Sequence, residues 1–190
     1  MKQAIHTKRL ELIPATRQIL ESDTGDRTGL ARLLNAGIPG TWPPPLMDEN
    51  VIREFIRMSS DASGPVFAAW YWVLDNPAPG SRVLIGNGGI LGAESGPDTV
   101  VLGYSVLEEF WNRGYATEAV RALVPGILSL PGVRRIIATT YPDLGASIRV
   151  LEKNGFHKNN RAPAGTGRAR TNISPSAFAC PLVEECSPAA

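Results

Sequence analysis

Cysteine, histidine and an excess of charge of either sign are what this sequence lacks. It has 2 cysteines, Cys180 and Cys186, and 2 histidines, His6 and His157, among 190 residues. So few and so widely spaced thiols and imidazoles predict neither a disulfide framework nor a zinc site. The formal net charge of +1 provides no long-range field for nucleic acid or for an anionic membrane surface, so neither is expected as a partner.

Long apolar runs are missing as well. No stretch approaches the roughly 18 apolar residues that span a bilayer, and residues 1–6 lack the apolar core of a secretory signal. We therefore expect a cytoplasmic protein. Hydrophobic residues make up 43% of the chain, as in an ordinary globular protein, and 190 residues suit one domain with a sizeable core.

Apolar periodicity predicts strands and helices in alternation. The residues around Leu10 and Leu12 favour a strand that ends at Pro14. Residues 15–36 favour a helix and a shorter second one, and Asp48 is placed to cap a further helix. Three strands in a meander are then predicted, over 65–74, 83–91 and 100–106.

The most informative segment joins the last of these strands to a helix. A bend, Trp111-Asn-Arg-Gly-Tyr-Ala116, precedes an apolar stripe that continues to Leu128. Backbone N–H groups left free at a helix start, with the positive end of the helix dipole, suit a diphosphate. Asn112 is expected in the left-handed region, which asparagine tolerates better than most residues. Pro125 is expected to kink the helix or end it early, because it cannot donate to the carbonyl of Arg121.

The C-terminal part begins regularly and then loses its pattern. A strand is predicted over 134–140 and a helix over 146–154, with Gly155 as its stop. Residues 157–176 are rich in Gly, Pro, Asn and Arg and are expected to be irregular. The segment 177–183 is then the one candidate for a last strand.

Three blocks, in order, resemble the GNAT acyltransferases, which move an acyl group from acyl-coenzyme A to an amine. The bend at 111–116 is similar to the family's diphosphate loop, and to the Trp-Gly-x-Gly-Tyr-Ala-Thr-Glu-Ala of its RimJ/RimL-like branch. Residues 142–156 are similar to the helix Pro-x-Asn-x-Ala-Ser-x-Arg-Val-Leu-Glu-Lys-x-Gly-Phe. Residues 7–14 are similar to that branch's opening Thr-x-Arg-Leu-x-Leu-Arg-Pro.

The resemblance implies an α/β (α+β) fold, a single GNAT-like domain over 1–183. Its mixed, twisted central sheet would be splayed at the cofactor site and have helices on both faces, with 157–176 atypical and 184–190 a disordered tail. Acetyl-coenzyme A is the implied co-substrate, with no metal. The implied acceptor is an amine, either a peptide N-terminus or a small molecule, and both a monomer and a homodimer stay open. Residues 30–55, with Trp42, would shape the acceptor side.

The resemblance also assigns a cofactor set. Backbone N–H groups of the bend would hold the diphosphate, Arg113 would add charge, and the strand 102–106 would offer hydrogen bonds to the pantetheine arm. The full set is Leu107, Asn112, Arg113, Gly114, Tyr115, Ala116, Thr117 and Ser147. The alternative is that Arg113 and Gly114 only form a tight, solvated turn. The glycines at 86–89 do not complete a dinucleotide motif.

In this superfamily the amine attacks the thioester directly, so orientation accounts for much of the rate. The departing thiolate needs a proton. Many relatives use a tyrosine at the position that is Leu151 here, and the resemblance moves that role to Ser147. A serine in the first turn of a helix is also often only a backbone cap. Tyr104 is interpreted as a half-buried strand residue or as part of the acceptor pocket.

The amine must also lose a proton. Glu94 and Asp98 are candidate bases, and a chain of waters is a third possibility. Glu108, Glu109 and Glu118 are interpreted as solvated charges or as helix-start carboxylates.

Two departures from the family pattern, Leu144 for an asparagine and Val101 for an acidic residue, remove polar groups from the expected site. They keep a rival hypothesis open, namely a non-catalytic acyl-coenzyme A-binding or regulatory protein.

Overall fold

A computed structural model describes residues 3–60, 66–75, 82–93, 96–140, 144–158 and 171–175. The strands are β1 Ile5–His6, β2 Leu10–Pro14, β3 Phe67–Leu74, β4 Val83–Gly92, β5 Thr99–Val106, β6 Arg135–Thr140, β7 Phe156–Lys158 and β8 Thr171–Pro175. The helices are α1 Arg17–Asp23, α2 Arg27–Leu34, α3 Glu49–Ser60, α4 Tyr115–Leu128 and α5 Gly145–Glu152. A short 3-10 helix, Glu108–Phe110, lies between β5 and α4.

The eight strands form one sheet in the order β1-β2-β3-β4-β5-β6-β8-β7. Every pairing is antiparallel except that of β5 with β6. A parallel pair needs a crossover connection, and α4 forms it. The mixed sheet predicted from the resemblance is therefore confirmed.

Both faces of the sheet are covered by helices. Alternate residues of a strand point to opposite faces, and on β3 Trp70 and Trp72 belong to the core under α4 and α5. Tyr71 and Val73, between and beyond them, belong to a second core formed with α1, α2 and α3. The middle of the sheet is consequently buried on both sides.

The sheet opens between β5 and β6. These strands pair only as far as Leu102 and Ala138, and in the described residues β5 continues to Val106 without a neighbouring strand on that side. The N–H of Leu107 donates to the carbonyl of Ile85 on β4 at 2.8 Å. Because hydrogen-bonding direction alternates along an antiparallel strand, the polar backbone groups of Tyr104 and Val106 face the opening. This is the splay that the resemblance implied.

Most elements lie where the sequence predicts them. α1 and α2 divide the segment 15–36, although α2 is one residue longer than α1 instead of shorter. Asp48 accepts a hydrogen bond from the N–H of Val51 at 3.0 Å, as expected of a helix cap. α5 ends at Glu152 with Lys153 as its C-cap, two residues before the predicted end at 154, and Gly155 follows with φ 78°.

Two outcomes are expected for Pro125, a kink in the helix or an early end, and the early end is wrong. α4 continues to Leu128, and the carbonyl of Pro125 accepts from Ser129 at 3.1 Å. A proline removes one backbone bond, whereas Leu123, Val124 and Ile127 are buried in the core. Their burial outweighs the loss of that bond, since a fully buried aliphatic side chain contributes about 1.5–3 kcal/mol.

The prediction that 157–176 is irregular is wrong at two places. β7 begins at Phe156 and pairs with β8, which in turn pairs with β6. β8 is only five residues long and lies among glycine- and arginine-rich sequence, so no apolar period reveals it. The predicted last strand at 177–183 lies outside the described residues.

Candidate cofactor-binding site

The junction loop, residues 111–116, connects the 3-10 helix to α4. Asn112 has φ 60° and Gly114 has φ 79°, so the predicted left-handed position of Asn112 is confirmed. Gly114 is the N-cap of α4, and no side chain caps this end. In the described part of the chain, no acceptor receives a hydrogen bond from the backbone N–H groups of residues 112–117.

Free N–H groups at the start of a 14-residue helix form a concentrated positive end. Each is an unsatisfied donor, and the helix dipole adds a partial positive charge at the same point. Successive N–H groups in a bend with left-handed residues also form an anion-binding concavity. The loop therefore has the donors that a diphosphate requires.

The N-terminal segment supports this loop through Arg9. Its Nε donates to Glu118 on α4 at 2.7 Å, and its Nη1 donates to the carbonyl of Arg113 at 2.9 Å. The guanidinium carbon lies 4.4 Å from the centre of the Tyr115 ring, within the range of a cation–π interaction. The Arg9 side chain thus connects the start of β2 with the junction loop and with the first turn of α4.

Glu118 is the other half of this contact. It accepts from Thr7 Oγ1 at 2.7 Å and from the N–H of Arg9 at 2.8 Å. Burial by itself would raise the pKa of Glu118, but the hydrogen bonds from Thr7 and Arg9 and the charge of Arg9 together lower it below its ordinary value. The interpretation of Glu118 as a solvated charge is wrong, while its place in the first turn of α4 agrees with the alternative.

Two further contacts fix the ends of the site. The indole N–H of Trp111 donates to the carbonyl of Val106 at 2.7 Å, so this backbone group of the open β5 edge is already satisfied. Asn154, buried at the end of α5, donates to the carbonyl of Thr117 at 3.3 Å and to that of Val150 at 2.8 Å. Trp111 therefore fixes the start of the junction loop on β5, and Asn154 fixes the first turn of α4.

Ser147 lies where the sequence resemblance places a proton donor. Its Oγ is 3.1 Å from the hydroxyl oxygen of Tyr104, which also donates to the carbonyl of Ser147 at 3.2 Å. The ring of Tyr104 stacks on Trp72 with centroids 6.1 Å apart. Leu151, at the family's tyrosine position, is fully buried. The structure thus brings Ser147 and Tyr104 together beside the open edge of β5.

Other predicted residues are not brought to this edge. Leu107 is buried in the second core. Its N–H donates to the carbonyl of Ile85, and its carbonyl accepts from the N–H of Phe110. Asp98 precedes β5 and accepts from Thr99, about 26 Å from Val106 at the usual rise of a strand. Asp98 is therefore too distant to act as the base. Glu94 lies outside the described residues.

A second loop, residues 39–46, covers the opposite face of β5 and is called here the Trp42 loop. Arg27 Nη2 donates to the carbonyls of Pro39 and Trp42, each at 2.9 Å. Ser105 Oγ donates to the carbonyl of Pro45 at 2.5 Å. Ser105 follows Tyr104 on β5, so the two residues point to opposite faces. The strand therefore has α5 on one face and the Trp42 loop on the other.

A partly buried carboxylate holds the Trp42 loop. Asp23 accepts from the indole N–H of Trp42 at 2.7 Å and from the hydroxyl of Tyr71 at 2.6 Å. Burial raises the pKa of Asp23 above its ordinary value, although those two hydrogen bonds and the charge of Arg27 oppose the change. Sequence reasoning missed this contact and the one between Arg9 and Glu118, because each joins residues that no local pattern relates.

Within the described ranges, no three side chains of histidine, cysteine, aspartate or glutamate come together as a possible metal site. None of the helices in those ranges is both long and apolar enough to cross a bilayer.

Comparison with known proteins agrees with this geometry. The model of the acetyltransferase (GNAT) domain matches residues 18–157, and the chain belongs to the GNAT acetyltransferase family. This family uses acetyl-coenzyme A. The chain is similar to YjdG, an uncharacterized N-acetyltransferase of Bacillus subtilis, with 25% identity over 160 residues, which cover 83% of this chain and 92% of YjdG. A shorter match to YoaA of the same organism has 39% identity over 57 residues, or 30% of this chain and 32% of YoaA.

Solved structures share the fold. RimL, a ribosomal L7/L12 alpha-N-protein acetyltransferase in complex with coenzyme A, matches with a TM-score of 0.60 and 16% identity over 90% of this chain and 96% of RimL. RimJ of Mycobacterium smegmatis, in complex with a coenzyme A disulfide, matches with a TM-score of 0.57 and 18% identity over 91% of this chain and 87% of RimJ.

Proposed function

We propose that this protein is an N-acetyltransferase of the RimJ/RimL-like branch, which transfers the acetyl group of acetyl-coenzyme A to a primary amine in a ternary complex. The acceptor is the amine of a protein N-terminus or of a small molecule. The observation that carries this proposal is the unsatisfied run of N–H groups over 112–117 at the start of α4. A solvated turn alone would give no reason for its support by Arg9, Glu118 and Asn154.

The diphosphate is held by the N–H groups of residues 112–117, with the exposed guanidinium of Arg113 close by. The pantetheine arm lies along the open edge of β5, where the backbone of Tyr104 offers an N–H and a carbonyl. This places the thioester near Ser147 on α5. Ser147 donates a proton to the departing sulfur, which is the role of a general acid. Leu107 is not carried into this set, because its backbone groups are already engaged.

The acceptor approaches from the other face of β5, along the Trp42 loop. The side chains of Tyr104 and Ser105, which are consecutive on β5, point to opposite faces of the sheet. A substrate on each face can therefore reach the same position of the strand. Direct attack then needs little beyond orientation, which contributes up to about 7–11 kcal/mol in well-aligned intramolecular reactions. The alpha-N-protein activity named for RimL favours a peptide N-terminus within the acceptor class.

The test combines binding with turnover. Acetyl-coenzyme A is expected to raise the melting temperature, since a ligand that binds only the folded state stabilises it. Free thiol is expected on addition of an amine panel of N-terminal peptides, polyamines and aminoglycosides. A thermal shift without thiol release for any amine would favour the rival, a non-catalytic acyl-coenzyme A-binding protein. Absence of both would contradict the proposal.

A matched pair of glycine variants locates the site. Gly114 and Gly132 both have positive φ, 79° and 81°, so Gly114→Leu and Gly132→Leu impose similar backbone strain. A Cβ at Gly132 meets nothing within 4 Å. We expect Gly114→Leu to abolish the thermal shift by acetyl-coenzyme A and Gly132→Leu to preserve it. Equal shifts in both variants would place the cofactor elsewhere.

A further inference from the structure

The proposed function leaves one chemical difficulty, the weak acidity of the proton donor. The family's tyrosine position is Leu151, which is 1% exposed and belongs to the core, so α5 itself provides no phenol there. A serine hydroxyl is a weaker acid than a phenol and by itself is a poor proton source for a thiolate. The hydrogen bond seen for Ser147 Oγ leads to a phenol on another element, Tyr104 of β5.

Tyr104 is held in this orientation by its contact with Trp72. Its ring stacks on Trp72 at an interplanar angle of 23°, and Trp72 in turn lies over Gly88. A Cβ at Gly88 would stand 2.6 Å from Trp72 Cζ2 and 3.2 Å from Tyr104 Cβ. The glycine at 88 therefore makes room for the stack, which directs the hydroxyl of Tyr104 toward the first turns of α5.

We propose that Tyr104 positions and recharges Ser147, so that a phenol on β5 replaces the tyrosine that α5 lacks. This inference rests on the proposed function. Tyr104 acts through Ser147 and is a positioning residue, whereas Ser147 contacts the sulfur. The two oxygens are 3.1 Å apart, within hydrogen-bond distance. The single proton of the Tyr104 hydroxyl is shared between Ser147 Oγ and the carbonyl of Ser147, which is 3.2 Å away, and it moves to Oγ when Ser147 gives up its own proton.

The proton balance is complete without a further reactant. The amine nitrogen forms a bond to the carbonyl carbon, and the bond from that carbon to sulfur breaks with its electron pair on sulfur. Ser147 Oγ–H gives its proton to the sulfur as Tyr104 Oη–H gives its proton to Ser147 Oγ. The proton released by the acylated nitrogen restores Tyr104 through solvent. The products are an amide and free coenzyme A.

The state of Tyr104 agrees with this role. Burial raises the pKa of Tyr104 to about 12, although the hydrogen bond with Ser147 opposes the change. At neutral pH the phenol therefore carries its proton. Its raised pKa makes it a weaker acid than an exposed tyrosine, so its role depends on the hydrogen bond to Ser147. A buried hydroxyl would also need a partner for structural reasons alone, so the experiment must separate a packing role from a chemical one.

The experiment is a double-mutant cycle on thiol release at saturating amine. Tyr104→Phe keeps the ring that stacks on Trp72 and removes only the hydroxyl. We expect it to lower kcat about tenfold with the KM for acetyl-coenzyme A within about twofold of wild type. Ser147→Ala should lower kcat about a hundredfold, within the usual range for a general acid. The double variant should be no slower than Ser147→Ala, because both residues act as one unit.

Ser147→Thr serves as the conservative rescue, since it keeps a hydroxyl at this position. It should recover most of the lost kcat in the presence of Tyr104, and it should reach no more than about a tenth of wild-type kcat, the level of Tyr104→Phe itself, in the Tyr104→Phe background. Wild-type kcat in Tyr104→Phe, or effects of the two substitutions that multiply, would overturn the inference while leaving the proposed function intact. A wild-type protein that neither binds acetyl-coenzyme A nor releases thiol would overturn both.

Discussion

On each face of the sheet a partly buried carboxylate supports one of the two loops, and the partners of these two carboxylates differ in charge. Glu118, beside the junction loop, accepts from the cation Arg9 and from Thr7. Asp23, beside the Trp42 loop, accepts from the neutral donors of Trp42 and Tyr71. The pKa of Glu118 is lowered and that of Asp23 is raised.

This difference follows from what each carboxylate does. A cation beside Glu118 keeps it ionised, and the same guanidinium reaches the carbonyl of Arg113, so the loop is held by a charged network. Asp23 orients two aromatic side chains through hydrogen bonds, at the cost of burying its charge. The junction loop is therefore stabilised electrostatically, and the Trp42 loop mainly by packing and hydrogen bonds.

The largest effect is expected at the Trp42 loop. Asp23→Ala leaves the buried donors of Trp42 and Tyr71 without an acceptor, and each such donor costs about 1–3 kcal/mol. We expect a loss of about 3 kcal/mol in the free energy of unfolding, measured by urea denaturation. Asp26→Ala is the matched control, because Asp26 only caps α2 by accepting from Gly29 at 2.8 Å and such caps contribute about 1 kcal/mol. Equal losses of unfolding free energy in Asp23→Ala and Asp26→Ala would contradict the prediction that Asp23 contributes more than a helix cap.

A smaller effect is expected at the junction loop. Arg9→Ala removes the donor to Arg113 and the counter-ion of Glu118, which loosens the junction loop before it binds. We expect about a tenfold higher Kd for acetyl-coenzyme A by calorimetry, equivalent to about 1.4 kcal/mol. Arg17→Ala is the control, since Arg17 also makes an ion pair, with Glu21 at 2.6 Å, but on the exposed surface of α1. An unchanged Kd in Arg9→Ala would show that the loop needs no such support.

The smallest effect is the pH dependence of stability, and its sign differs between the two faces. Glu118 has a lowered pKa in the folded state, so its contribution is present above its ordinary pKa and is lost as pH falls through the folded one. Asp23 has a raised pKa, so the folded state binds the extra proton and stability falls as pH rises through that window. Urea unfolding at a series of pH values should give wild-type-minus-variant differences of opposite slope for Glu118→Gln and Asp23→Asn. Slopes of the same sign would contradict the comparison.

The junction loop could be predicted from sequence because its signals are local. Asn112 and Gly114 mark left-handed positions, and the apolar stripe after them marks a helix. The mixed sheet and its splay followed from the resemblance to GNAT acyltransferases, which three blocks of sequence carry. The same local signals predict a kink or an early end of α4 at Pro125, but the helix continues to Leu128 because its apolar stripe is buried in the core.

The contacts that shape the site are not local. Arg9 and Glu118 are 109 positions apart, Tyr104 and Ser147 are 43 apart, and Asp23 and Tyr71 are 48 apart. Each pair forms only after the sheet has set strand register and helix position. Residues 7–14 resemble the family's opening, but no local pattern connects Arg9 with a loop that follows β5.

The most direct measurement is an NMR titration of the backbone amides. Coenzyme A contains the diphosphate and pantetheine lacks it, so the two ligands separate the junction loop from the open edge of β5. We predict that coenzyme A gives its largest amide shifts at residues 112–117, and that pantetheine leaves these amides unchanged. Coenzyme A binding that leaves the amides of 112–117 unshifted would contradict the account.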